Sequence, residues 1–74
     1  MKNQVKTFGQ LGIGTVICFN IPKNGIHEHY VILRHYKDKF GDYTQMLSLE
    51  TFGKESVRQS TELDELWEIV KNHK

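Results

Sequence analysis

Ile26-His27-Glu28-His29-Tyr30-Val31-Ile32-Leu33-Arg34-His35-Tyr36 is an uninterrupted run without glycine or proline. It is rich in β-branched and aromatic side chains, and it reads as a long strand. Reversal signals flank it on both sides. Upstream, Pro22-Lys23-Asn24-Gly25 combines a residue with fixed φ and an Asn-Gly pair that tolerates positive φ, which predicts a turn. Before that turn, Gly14–Ile21 (GTVICFNI) is a second strand-like run. Downstream, Lys37–Asp42 (KDKFGD) reads as another turn and Tyr43–Glu50 (YTQMLSLE) as a third strand. Thr51–Ser56 contains Gly53 and reads as a loop, with a short fourth strand expected at Val57–Gln59. Residues 14–59 therefore form a β meander. Residues 1–12, polar and with Gly9 and Gly12, read as an arm that holds at most one short strand at Val5–Phe8.

The period changes at the C-terminal end. Leu63, Leu66, Trp67 and Val70 fall at i, i+3, i+4 and i+7, the spacing of one helix face. Thr61 or Ser60 stands at an N-cap position, acids follow, and Lys71, His73 and Lys74 close the segment, an order that complements a helix dipole. The spacing predicts a helix over 61–72. The expected fold class is mainly β with one C-terminal α-helix. Its architecture would be a small SH3-like barrel, or a strongly bent antiparallel sheet, capped by that helix.

A chain of 74 residues is one small domain with a thin core. One cysteine cannot form an internal disulfide, and no Cys/His set has zinc-finger spacing. No apolar run approaches the ~20 residues of a membrane span, and no signal peptide is apparent, so a soluble protein of the reducing cytoplasm is expected. Ten Lys/Arg against nine Asp/Glu is not the basic balance of a duplex DNA binder.

Hairpin arithmetic gives a register. A four-residue loop at 22–25 pairs Ile21 with Ile26, Cys18 with His29 and Val16 with Val31. A six-residue loop at 37–42 pairs Tyr36 with Tyr43, and then His29 with Glu50 and Val31 with Ser48. One face of the sheet would gather Cys18, His29, Glu50, Asn20 and His27. The opposite face would hold Ile17, Phe19, Ile21, Ile26, Tyr30, Ile32, Leu47 and Leu49 as the core. A thiol beside an imidazole oriented by a carboxylate follows the logic of a cysteine nucleophile. Strand interiors, though, have no spare backbone N–H groups for an oxyanion, and a small buried Cys beside an ordinary His–Glu pair accounts for the same residues. His27 and His29 share a face, but His35 lies about 20 Å further along the strand, so no metal and no cofactor is expected.

Aromatic and basic residues interleave around the second turn: Tyr30, Arg34, Tyr36, Lys37, Lys39, Phe40 and Tyr43. Together with His27 they are the candidate binding residues. Stacking faces beside cations suit single-stranded RNA, and tyrosine with arginine equally suits a protein interface. The reading is a small non-catalytic binding or regulatory module, inhibitor- or adaptor-like, that contacts a partner protein or single-stranded RNA.

The order Gly14-Thr15-Val16-Ile17-Cys18-Phe19, then His29-Tyr30-Val31-Ile32-Leu33, then Met46-Leu47-Ser48-Leu49 resembles the opening of PemK/MazF-type toxins over about residues 12–51. The resemblance implies an SH3-like barrel, often a homodimer, that binds single-stranded RNA and cleaves it without a metal. The family's Arg-Pro falls on His29-Tyr30 and its Thr-Ser on Glu50-Thr51. An endoribonuclease built on this chain would therefore use His29, with Glu50 and Arg34 assisting.

Overall fold

The computed structural model describes residues 6–21 and 25–71. It consists of strands β1 (Val16–Ile21), β2 (Ile26–Asp38), β3 (Gly41–Ser48), β4 (Lys54–Arg58) and β5 (Trp67–Lys71), with one 3-10 turn at Phe8–Gln10. All strand pairs are antiparallel, and the sheet order is β4-β3-β2-β1-β5. The four sequential strands form a meander, and β5 returns to the free edge of β1. Among the described residues no helix is long and apolar enough to cross a membrane.

Of the segment expected as a C-terminal helix over 61–72, the described residues 61–71 are instead a turn followed by β5, and residue 72 lies outside the described residues. Leu66 and Trp67 do lie at helical spacing from Leu63. Trp67 and Ile69, however, alternate with Glu68 and Val70, and both Ile69 and Val70 are β-branched, which favours the pleated state. Asp64 bends the chain: its carboxylate accepts the Leu66 N–H at 2.9 Å, and its carbonyl accepts the Trp67 N–H at 3.1 Å. The acid that looked like a first-turn residue is thus a turn residue. The unpaired edge of β1 supplies the tertiary pull. Ile17 pairs with Ile69, Phe19 with Trp67, and the Asn20 N–H donates to the Leu66 carbonyl at 2.8 Å.

The first hairpin has the expected register, with Ile21 opposite Ile26, Cys18 opposite His29 and Val16 opposite Val31. Its turn lies outside the described residues except for Gly25. The second hairpin is tighter than expected. Tyr36 does face Tyr43, but pairing continues to Asp38 opposite Gly41 and leaves only Lys39 and Phe40 in the loop. Asp38 Oδ1 accepts the Phe40 N–H at 2.8 Å, and Gly41 takes a φ of 129°, which other residues rarely adopt. The β4 strand begins earlier than Val57, at Lys54.

A bulge at Leu33 changes the rest of the register. Arg34 pairs with Gln45, whereas Ile32 pairs with Met46, so one extra residue sits in β2. Val31 consequently faces Leu47, not Ser48, and Ser48 faces Tyr30. The expected core face is corrected on β3. Met46, Thr44 and Ser48 point inward and are buried, Leu47 lies on the outer face, and Leu49 is exposed beyond the strand. His35 moves inward too, so it does not share the face of His27 and His29.

The core contains Phe8, Leu11, Ile17, Tyr30, Ile32 and Met46, with Phe19, Val57, Leu63, Trp67 and Ile69 packed around them. The covering role expected of a helix falls to the N-terminal segment and β5. Phe8 meets the Trp67 ring edge-on at 5.2 Å, and Phe19 and Tyr30 lie 4.6 and 5.8 Å from the same ring. The described residues 6–12 are tied to the rest of the fold, whereas residues 1–5, including Val5 of the expected short strand, lie outside the described residues. Phe8 N–H donates to the Thr61 carbonyl, Gly9 N–H to the Gln59 carbonyl, and Thr7 bridges to Glu62. His35 locks this segment down, with Nε2 2.6 Å from the Leu11 carbonyl and Nδ1 2.7 Å from Thr44 Oγ1. A carbonyl only accepts, so Nε2 donates to it.

Candidate nucleic-acid interface

The outer face of β2, β3 and β4 follows from the register. Its rows are Val31–Leu47–Lys54, Arg34–Gln45–Ser56 and Tyr36–Tyr43–Arg58. Three cations and no carboxylate stand in these rows. The last two rows interlock. The Tyr36 and Tyr43 rings stack with centroids 5.7 Å apart and planes inclined by 23°. The Arg34 guanidinium lies 4.6 Å from the centre of Tyr36, and that of Arg58 lies 5.1 Å from the centre of Tyr43. The result is a four-member ladder, a tyrosine pair capped by a guanidinium at each end.

Three of the four members are also held by hydrogen bonds. Arg34 Nε donates to Gln45 Oε1 at 3.1 Å, Tyr36 Oη donates to Ser56 Oγ at 2.9 Å, and Arg58 Nη1 donates to the Phe40 carbonyl at 2.9 Å. Gly41 makes room for the last contact, since a Cβ there would stand 2.8 Å from Arg58 Nη1. Stacked aromatic pairs are worth about 0.5–1.5 kcal/mol and exposed cation–π contacts about 0.5–1 kcal/mol, enough to preset the ladder before any ligand arrives. Beside Arg58 opens a polar groove lined by Thr7, Gln10, Asp42 and Gln59.

The candidate binding residues divide. Arg34, Tyr36 and Tyr43 meet in the ladder. Lys39 and Phe40 sit at the exposed turn beyond it, with Lys39 Nζ 5.4 Å from the Phe40 ring centre. Lys37 pairs with Asp42 in the ladder's register but on the opposite side of the strand from Tyr36. Tyr30 is not a surface residue: it is 5% exposed, packs on Trp67, and its hydroxyl donates to Glu28 Oε1 at 2.9 Å. Burial, with that carboxylate, pushes its phenol well above the ordinary range. His27 lies at the far end of the outer face, its Nδ1 2.6 Å from Asn20 Oδ1.

Arg58 was not among the residues singled out from sequence, although it closes the ladder. A short strand was expected around Val57 but was given no register. Extending the meander by one strand, with Tyr43 opposite Arg58, would have found it.

The expected His29–Glu50 contact forms, by a different route. Glu50 lies beyond β3, in a turn where Ser48 N–H donates to the Gly53 carbonyl and Phe52 adopts a left-handed φ of 61°. From there Glu50 Oε1 accepts the His29 N–H at 2.7 Å, and Oε2 lies 2.8 Å from Nδ1. These hydrogen bonds hold the Glu50 carboxyl below its ordinary range. Arg34 does not join them; its partners are Gln45 and Tyr36.

Cys18 faces His29 in the register, but its Sγ is 3.4 Å from Asn20 Oδ1, to which it donates. The thiol is 4% exposed, and burial, then the charges of Glu68 and Glu50, pushes its pKa up. A buried thiol with a raised pKa supplies almost no thiolate, so the cysteine-nucleophile reading loses its reagent. Comparison with protein-family models, curated proteins and solved structures yields no match.

Proposed function

We propose that the protein is a small non-catalytic module that holds single-stranded nucleic acid, RNA foremost, on the outer face of β2–β4. The observation that carries this reading is the Arg34–Tyr36–Tyr43–Arg58 ladder. It places flat stacking surfaces and positive charge in one preset array, on strand rows that hold no carboxylate. A protein surface would use the same tyrosines and arginines but would not need their charge to be of one sign. A polyanion with exposed bases does need that. The module would act by occupancy, as an inhibitor or adaptor does.

The test is fluorescence anisotropy with labelled oligouridine. The wild type is expected to bind, more weakly as salt rises. Tyr36→Ala is expected to weaken binding by about 1–3 kcal/mol, the usual worth of one stacked base. Arg58→Ala should both weaken binding and flatten the salt dependence. Absence of binding, or variants that bind like the wild type, would overturn the reading in favour of a protein partner. The endoribonuclease implied by the PemK/MazF resemblance has the His29–Glu50 pair in its favour. Electrophoresis of the same samples decides it, because only an enzyme shortens the oligonucleotide.

A further inference from the structure

We infer that the His29–Glu50 pair reads the ribose 2′-hydroxyl of the bound strand and thereby selects RNA over DNA. The inference rests on the single-stranded nucleic-acid reading above and deepens it. Both oxygens of Glu50 go to one residue, Oε1 to the His29 N–H and Oε2 to its ring. The first contact adds a rung to the β2–β3 ladder after β3 has turned away. On the same edge of β2, the His29 carbonyl accepts the Leu49 N–H at 2.7 Å. The residue is thus fixed at its N–H, its carbonyl and its Nδ1, and the ring has one orientation.

That orientation has a chemical consequence. An ionised carboxylate only accepts, so in the neutral ring the proton sits on Nδ1. Nε2 is then an acceptor, and among the described residues nothing meets it. The His29 side chain is 39% exposed. It lies on the same face as Val31, Arg34 and Tyr36, about 20 Å along β2 from the tyrosine pair at the ordinary rise per residue. A strand seated on the ladder and running over Val31 and Leu47 would reach it.

A fixed acceptor recognises a donor. Phosphates at neutral pH offer only acceptors, and the charge of Glu50 repels them from this point. Base edges carry donors, but these differ from base to base. The donor that recurs at every nucleotide of RNA, and is missing from DNA, is the 2′-hydroxyl. The cationic end of the face would thus hold the backbone and bases, and the imidazole end would inspect the sugar.

The test compares oligouridine, oligodeoxyuridine of the same length and 2′-O-methyl oligouridine, each labelled and titrated by anisotropy near pH 8. The methylated sugar keeps its oxygen but loses the donor. The wild type should bind oligouridine about ten-fold more tightly than either analogue, the effect of one well-made hydrogen bond. His29→Phe should bring oligouridine down to the level of the deoxy strand without changing affinity for the latter. Glu50→Gln, whose amide can donate to Nδ1 and reverse the ring's tautomer, should also reduce the preference. Equal wild-type affinity for oligouridine and oligodeoxyuridine, or a preference that survives His29→Phe, would overturn the inference while leaving nucleic-acid binding intact. Failure to bind any of the three would overturn the parent reading as well.

Discussion

Leu33 decides which side chains the two faces of the sheet receive. As the extra residue in β2 it shifts the pairing by one, so that Met46 and Thr44 turn inward and Leu47 outward. It also carries His35 to the inner side, where the ring joins Thr44 to the Leu11 carbonyl. Glu50 is the second deciding residue, since one carboxylate fixes both the backbone and the ring of His29. Its carboxyl titrates below the ordinary value in the folded state. A depressed folded pKa contributes stability that is present above the unfolded value, about 4.3, and disappears as pH falls through the folded one. Melting temperature measured across the acid range should therefore show the wild type above Glu50→Gln at neutral pH, with the gap closing below about pH 4. A gap that stays constant with pH would mean that the carboxylate charge plays no part.

Among the elements, β5 shows where sequence stops being sufficient. The meander was legible because β-branched runs alternate with Pro, Asn and Gly, and those signals are local. The C-terminal segment satisfied two periods at once: Leu63, Leu66, Trp67 and Val70 suit a helix, while Trp67 and Ile69 suit a strand. The choice came from the open edge of β1, a partner some fifty residues away that no local pattern reveals. The Leu33 bulge was illegible for a similar reason, because nothing in Ile32-Leu33-Arg34 marks an extra residue. The site was legible in part. Arg34, Tyr36 and Tyr43 and the His29–Glu50 contact were found, whereas Tyr30 was misplaced because its hydroxyl and ring look the same whether buried or displayed. The weight borne by β5 can be measured. Trp67 touches Phe8, Phe19 and Tyr30, so Trp67→Ala should cost about 3 kcal/mol or more in chemical denaturation. Total stability for a chain of this size is only several kcal/mol, so the variant would be largely unfolded on warming. A Trp67→Ala protein as stable as the wild type would show that β5 does not hold the N-terminal segment in place.

At the scale of the molecule, one sheet separates two tasks. Its inner face, covered by Phe8, Leu11 and Trp67, holds the fold together. Its outer face is left with a stacked, charged end on β2–β4 and an imidazole end on β1–β2, joined by Val31 and Leu47. The most direct test follows amide resonances in a nitrogen–proton correlation spectrum as oligouridine is added. Shifts are expected for Val31, Arg34, Tyr36, Tyr43, Gln45, Ser56 and Arg58, fading toward β5. A spectrum that does not change, or one whose changes gather on β5, would contradict the account.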